Sequence, residues 1–455
     1  MRYKGENTCM SRKKLATVLR LSLCFLLTAS LLLAMLLLST LIPRDAIAPR
    51  MLESAKFLSE GKQFSEAVEG VPSSRIDRYA DSILLGIVWQ LDSDDAMRSV
   101  MVAAYYHHPL RNENINLLDA VEKNLPPNQE YLRYWHGSSG IVRALMLLMT
   151  LPQIYLWHGI IMCALFLGLL VRLIVRREWA LVVGLLVGFI GCAAWFVPLS
   201  LEYTWVFLIL LVQLHIMISP TFPQSPGKRY AFFLVSGMIT NYLDFLTCES
   251  LTLLVPLLVL LWLDWKRDVS NTSWISLVKM GILWLAGYGG MYLLKWLLAA
   301  LTLGENVLPY VAGHVEERIA GFSGVGFLRE WLGAPLQNIG NLFPLDYGVG
   351  GLMTGIVLVL GVAYVGYVYH RRGFDKGLIA RLTALGIMPY VRYLLLANHS
   401  YLHSFFTYRA QLATLLAVVM IVSELTGWGN PPTEATPRRK ESTSRHRKVN
   451  HGRST

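Results

Sequence analysis

The chain has 455 residues, 54% of them hydrophobic, and 41 Lys and Arg against 30 Asp and Glu give it a net charge of +11. Several apolar runs approach the roughly 20 residues a helix needs to cross a hydrocarbon core about 30 Å thick, which excludes an ordinary soluble domain. The positive charge sits in short clusters beside these runs, where it orients a membrane protein and meets anionic headgroups, so no nucleic acid partner is inferred.

In chain order, the first run, Leu21 to Ile42, is longer than the roughly 7 to 15 residues of a signal-peptide core, and no small-residue cleavage site follows. It predicts a retained first span within an N-terminal segment 1–42. Residues 43–151 form an expected extracytoplasmic loop, in which Glu53 to Val68 and Ser82 to Tyr105 read as amphipathic helices and Pro126-Pro127 as a breaker. Ile141 to Leu151 is apolar but short and ends at Pro152, which suits the membrane surface rather than a crossing.

A bundle over 152–300 follows, with runs Ile154 to Val175, Trp179 to Val197, Trp205 to Ile218, Ala231 to Leu243, Leu251 to Leu263 and Trp274 to Ala299. A second outer loop over 301–351 leads to C-terminal runs Leu352 to His370, Leu378 to Ala397 and Ala410 to Leu425 within 352–428. The tail, 429–455, is rich in Pro, Arg, Ser and Thr and is expected to be disordered and cytoplasmic. Basic clusters at Arg12/Lys13/Lys14, Arg176/Arg177, Lys228/Arg229, Lys266/Arg267 and Arg371/Arg372/Lys376 occupy every second connection. The pattern predicts an all-α polytopic protein of about ten spans with both termini in the cytoplasm. Cys9, Cys24, Cys163, Cys192 and Cys248 are odd in number and scattered, which gives neither a disulfide framework nor a metal site. Asn271-Thr272-Ser273 matches a glycosylation sequon but falls in an expected cytoplasmic loop.

On this threading the chemically capable residues gather outside. Asp77 and Asp81 stand at helical i,i+4 spacing in Arg75-Ile76-Asp77-Arg78-Tyr79-Ala80-Asp81. They read as a general base with its orienting partner or, equally from spacing, as acids near a helix N-terminus paired to Arg75 or Arg78. Arg133-Tyr134-Trp135-His136-Gly137 joins a cation and an imidazole able to hold a phosphate to aromatics that an interfacial belt would also supply. Asn241, Asp244 and Glu249 lie in a short outer turn, where carboxylates beside lipid read as cavity-lining or as a solvated turn capped by Ser250. His399 and His403 have the spacing of a helical zinc pair but lack its glutamate and a third ligand, so no metal is expected. With Tyr408 and Arg409 they suit an anionic leaving group, and Lys295 and Arg392 either add to that field or snorkel.

These four motifs resemble a group of polytopic membrane proteins of Gram-positive bacteria associated with surface-polysaccharide synthesis. The overall plan, many spans with a long first outer loop carrying an early acidic motif, resembles the GT-C class of glycosyltransferases. The resemblance implies a plasma-membrane enzyme that transfers a sugar from a polyprenyl-phosphate carrier to a cell-envelope glycan on the outer face. On this reading Asp77 is the base with Asp81 orienting it or the acceptor, Arg133, His136, His399, His403 and Arg409 form a phosphate site, Asp244 and Glu249 bond sugar hydroxyls, Tyr134 and Trp135 stack on sugar or prenyl, and Asn241 and Tyr408 bind substrate. No cofactor is required, although a divalent cation is compatible with the chemistry. A transporter or flippase of lipid-linked saccharides, or a scaffold of an envelope assembly complex, would use the same residues as a path or a docking face.

Overall fold

A computed structural model describes residues 2–223, 225–267, 269, 272–320, 326–343, 349–370 and 373–428. The sequon residue Asn271, the basic pair Arg371/Arg372 and the tail 429–455 lie outside the described residues. The chain is an all-α membrane protein, apart from a hairpin in which Phe64–Glu66 pairs antiparallel with Arg75–Asp77.

Each predicted apolar run is helical: Arg2–Thr40, Leu151–Val175, Trp179–Gly191, Leu201–Met217, Pro226–Leu243, Leu251–Lys266, Trp274–Leu303, Val349–Val368, Lys376–Leu395 and Leu412–Thr426. Among the described residues five stretches are long and apolar enough to cross a membrane by themselves: Leu15–Thr40, Leu151–Val175, Trp274–Leu303, Lys376–Leu395 and Ser404–Thr426. Their outward faces are apolar, with Leu19, Leu23, Leu26 and Leu27 of the first helix all more than half exposed, which only lipid tolerates over such a length. The Trp179–Gly191 helix is short because the chain breaks into a 3-10 turn, Ala194–Leu199, around Pro198.

Helices Pro226–Leu243 and Trp274–Leu303 pack backbone to backbone. A Cβ on Gly237 would come 2.1 Å from the Trp284 carbonyl, and one on Gly287 would come 2.1 Å from the Leu234 carbonyl, so both positions require glycine. The buried core extends through Leu169, Leu210, Leu258, Leu382 and Leu416.

The segment 43–151 departs from expectation where polar residues interrupt it. The helix predicted over Glu53 to Val68 is Arg44–Ser59, ended before Gly61 and followed by the hairpin. The stretch Ser82 to Tyr105 divides into Arg78–Gln90 and Ala96–Val102, because Asp95 caps the second helix at the Arg98 amide. Ile141 to Leu151 contains the end of a short helix, Gly137–Leu145, and the capped start of Leu151–Val175. Lys295 anchors this segment to the bundle by donating to the carbonyls of Val100 and Met101 at 3.1 and 2.6 Å.

Connections collect at two ends. At one, Lys266 meets Glu178 at 2.9 Å, Trp265 donates to Asp375 at 3.2 Å, and Arg229 makes a bidentate pair with buried Asp264 at 2.5 and 3.0 Å. The polar residues of the sequence motifs gather at the other end.

Candidate functional site

The site begins at the hairpin. Phe64 pairs with Asp77, so the second strand delivers Asp77 to the start of the Arg78–Gln90 helix as its N-cap, where it accepts the Ala80 amide at 2.8 Å. The side chain is only 4% exposed, yet it borders a cavity of about 410 Å³. Burial pushes its carboxyl up to about 6, against the pull of the Ala80 amide. Part of that environment is Glu202, whose carboxyl meets that of Asp77. The two carboxyls stand together at the cavity wall.

Asp81 takes a different place. Because Asp77 lies just before the helix, the two acids do not share a helical face. Asp81 is fully buried behind the cavity, where it accepts the Tyr155 hydroxyl, the Ser200 hydroxyl at 3.2 Å and the Leu201 amide at 2.9 Å. Burial raises its carboxyl to about 7, against the pull of these hydrogen bonds. Its bonds join the Arg78–Gln90 helix to the start of Leu201–Met217 and set Asp77 against Glu202.

The opposite wall is cationic and aromatic. Arg133 stacks on Tyr131 and Tyr134, each ring centroid 5.1 Å away, and donates to the Tyr131 hydroxyl at 2.9 Å. His136 lines the cavity from a left-handed backbone position, φ 52°, that opens the Gly137–Leu145 helix. Burial, then the charges of Lys295 and Arg133, hold its imidazole well below the usual range. His399 and His403 line the far side with rings 4.9 Å apart. Burial lowers both, His403 to about 3, so the three imidazoles are neutral hydrogen-bonding groups and positive charge in the cavity comes from arginine.

The structure brings Asp77, Arg133, Tyr134, His136, His399 and His403 to one cavity. The other candidates lie around it. Trp135 is buried and donates to the Met291 carbonyl at 2.8 Å. Asn241 is 1% exposed within the helix that ends at Leu243. Asp244 closes a turn by accepting the Leu246 amide and the Thr247 hydroxyl at 2.8 and 2.5 Å, and burial raises it to about 7. Glu249 is engaged by Arg392 in a buried bidentate pair at 2.9 and 3.1 Å. Tyr408 reaches the carbonyls of Cys192 and Ser73 at 2.8 and 3.2 Å. Arg409 is fully buried, with its guanidinium over the rings of Tyr203 and Tyr408 and a bond to the Ser73 carbonyl at 3.3 Å.

Several cavity residues escape the sequence reading. Glu202 looks like a stray charge at the head of an apolar run. Tyr310, His314 and Arg318 come from the helix Leu308–Ala320, whose spacing carries the signal of one polar face. Among the described residues no three His, Cys, Asp or Glu side chains converge as metal ligands.

The fold and cavity define a helical membrane protein with a polar chamber at one end of its bundle. No family model matches the chain, and neither a curated protein nor a solved structure matches it.

Proposed function

We propose that this chain is a bacterial plasma-membrane glycosyltransferase that moves a sugar from a polyprenyl-phosphate carrier to a cell-envelope glycan. In this reading about ten helices cross the membrane, both termini are cytoplasmic, and the cavity opens on the outer face. The alternation supports it, since Glu202, Phe245, Tyr310 and His399 all lie at connections assigned outside, while Glu178, Lys266 and Asp375 meet at those assigned inside.

The observation that carries the reading is the division of one cavity between two buried acids, Asp77 and Glu202, and an arginine-histidine wall. Asp77 takes the proton from the acceptor hydroxyl as its oxygen bonds to the anomeric carbon and the bond from that carbon to the carrier phosphate breaks. The phosphate leaves with the electron pair and is held by Arg133 and N–H groups of the neutral histidines. Unpaired buried atoms fit a polar occupant: Glu202 Oε2, the Nδ1 atoms of His399 and His403 and Arg133 Nε meet no partner among the described residues.

A flippase reading draws on polar groups at other levels of the bundle. Two such sets are bonded internally instead, Gln213 with Ser236 and Arg229 with Asp264. The test is the sugar composition of the surface glycan in wild type, a deletion strain and an Asp77→Asn strain at matched protein level. Loss of one substituent in both mutants is expected. Its retention in Asp77→Asn alone removes Asp77 as base, and retention in both removes glycan synthesis.

A further inference from the structure

The Leu308–Ala320 helix has two faces that ask for different surroundings. Tyr310, His314, Glu317 and Arg318 fall within one angular sector and border the cavity. Rotated from them, Leu308, Val315 and Ile319 are 62, 49 and 43% exposed. A helix polar toward a chamber and apolar outward lies in the membrane surface with lipid on its outer side. It therefore stands between the bilayer and the cavity.

The polar face meets the cavity wall through ionic contacts. Glu317 Oε2 lies 4.0 Å from Arg133 Nη1 and 2.9 Å from His314 Nδ1. Arg318 Nη1 lies 3.4 Å from His403 Nε2, and its buried Nε meets no partner among the described residues. One anionic oxygen thus sits between a cation of the first outer segment and an imidazole of the second, beside a second guanidinium with capacity left over. A phosphate oxygen fits the same position, because arginine binds carboxylate and phosphate with the same planar donor geometry.

We propose that the Leu308–Ala320 helix is a lipid-facing gate to the cavity, that Arg318 joins Arg133 in binding the phosphate headgroup of a membrane lipid, and that Glu317 occupies the phosphate position until that lipid arrives. The inference rests on the lipid-phosphate reading of the cavity and is independent of whether sugar transfer follows. Admission is lateral: the chain of the lipid stays against Val315 and Ile319 while the headgroup displaces Glu317 from Arg133.

The test measures binding to the full chain in phosphatidylcholine nanodiscs with three probes: farnesyl monophosphate, farnesol and inorganic phosphate. Farnesyl monophosphate is expected to bind about tenfold or more tightly than either other probe, because charge and chain both contribute. Arg318→Ala is expected to weaken it about tenfold, the scale of one charge-assisted bond, while Glu317→Gln tightens it. The gain in Glu317→Gln keeps the test sound if Arg318→Ala folds poorly. Equal binding by wild type and both variants overturns the gate while leaving the Arg133 wall intact. Inorganic phosphate binding as well as farnesyl monophosphate overturns the lipid source. Absence of binding by any probe overturns the lipid-phosphate reading together with the gate. Activity of Asp77→Asn reports separately on transfer.

Discussion

Replacing Asp77 with asparagine separates a chemical role from a structural one, because the two predict opposite changes in stability. Asparagine keeps the side-chain oxygen that accepts the Ala80 amide at 2.8 Å, so the helix cap survives. What disappears is a buried negative charge. Burial raises the carboxyl from 3.8 to about 6. The folded state therefore binds this proton more tightly than the unfolded chain, and wild-type stability falls as pH rises across that window. At pH 8 the penalty is about two pKa units, or about 3 kcal/mol. Asp77→Asn should then melt several degrees higher than wild type at pH 8 in scanning fluorimetry of detergent-purified protein, with the gap closing toward pH 4. It should also transfer no sugar. A variant that melts lower than wild type at pH 8 would refute the reasoning, since it would make Asp77 a stabilising cap whose charge the fold uses. Full transfer by a stable variant would refute the chemical role alone.

Other consequences can be checked in parallel. Because Asp77 must be ionised to accept a proton and its carboxyl is raised to about 6, sugar transfer measured against pH should fall as pH drops through about 6. Glu202→Leu, which removes a hydrogen bond that holds the Asp77 carboxyl down, should move this inflection to higher pH, and an unmoved profile would uncouple the two acids. Glu249→Gln leaves Arg392 buried without its carboxylate and should cost about 3 to 5 kcal/mol, seen as lost melting temperature, while a Glu249→Leu/Arg392→Met double variant recovers it. A Cβ at Gly137 would lie 2.2 Å from Tyr242 Cε1, so Gly137→Ala should destabilise by about 1 to 3 kcal/mol, and Tyr242→Ala in the same chain should relieve the clash.

The helical membrane architecture is legible in the sequence because lipid imposes a simple demand. Every backbone polar group must be bonded within its own segment, so a long apolar run becomes a helix whatever its neighbours do. The site is harder to read because chain-distant bonds assemble it. Arg409 and Tyr408 carry the chemistry of an anion site, yet both are spent on the Ser73 carbonyl, which lies far away in sequence. Glu249 reads as a ligand for sugar and is drawn instead to Arg392 across the bundle. The i,i+4 spacing of Asp77 and Asp81 assumes one continuous helix, whereas the strand that pairs with Phe64 holds Asp77 outside it. Glu202 was hidden by its apolar neighbours, and only the fold sets it beside Asp77.

The buried acids described above follow two energetic regimes. Glu249 and Asp264 are neutralised by bidentate arginines, and Asp244 and Asp81 are ringed by hydrogen-bond donors, so each is accounted for as structure. Asp77 and Glu202 stand together at the cavity, where among the described residues neither forms an ion pair with an arginine, an arrangement that repels when both are charged. A fold that elsewhere pairs its buried charges tolerates this one where a bound polar molecule would supply the missing partner. The same logic applies across the cavity, where Arg133 and Arg318 border one volume and a carboxylate beside Arg133, Glu317, arrives on a surface helix from another part of the chain. Like-charged groups concentrated on facing walls cost stability on both sides and favour a ligand that offers a hydroxyl to one wall and a phosphate to the other.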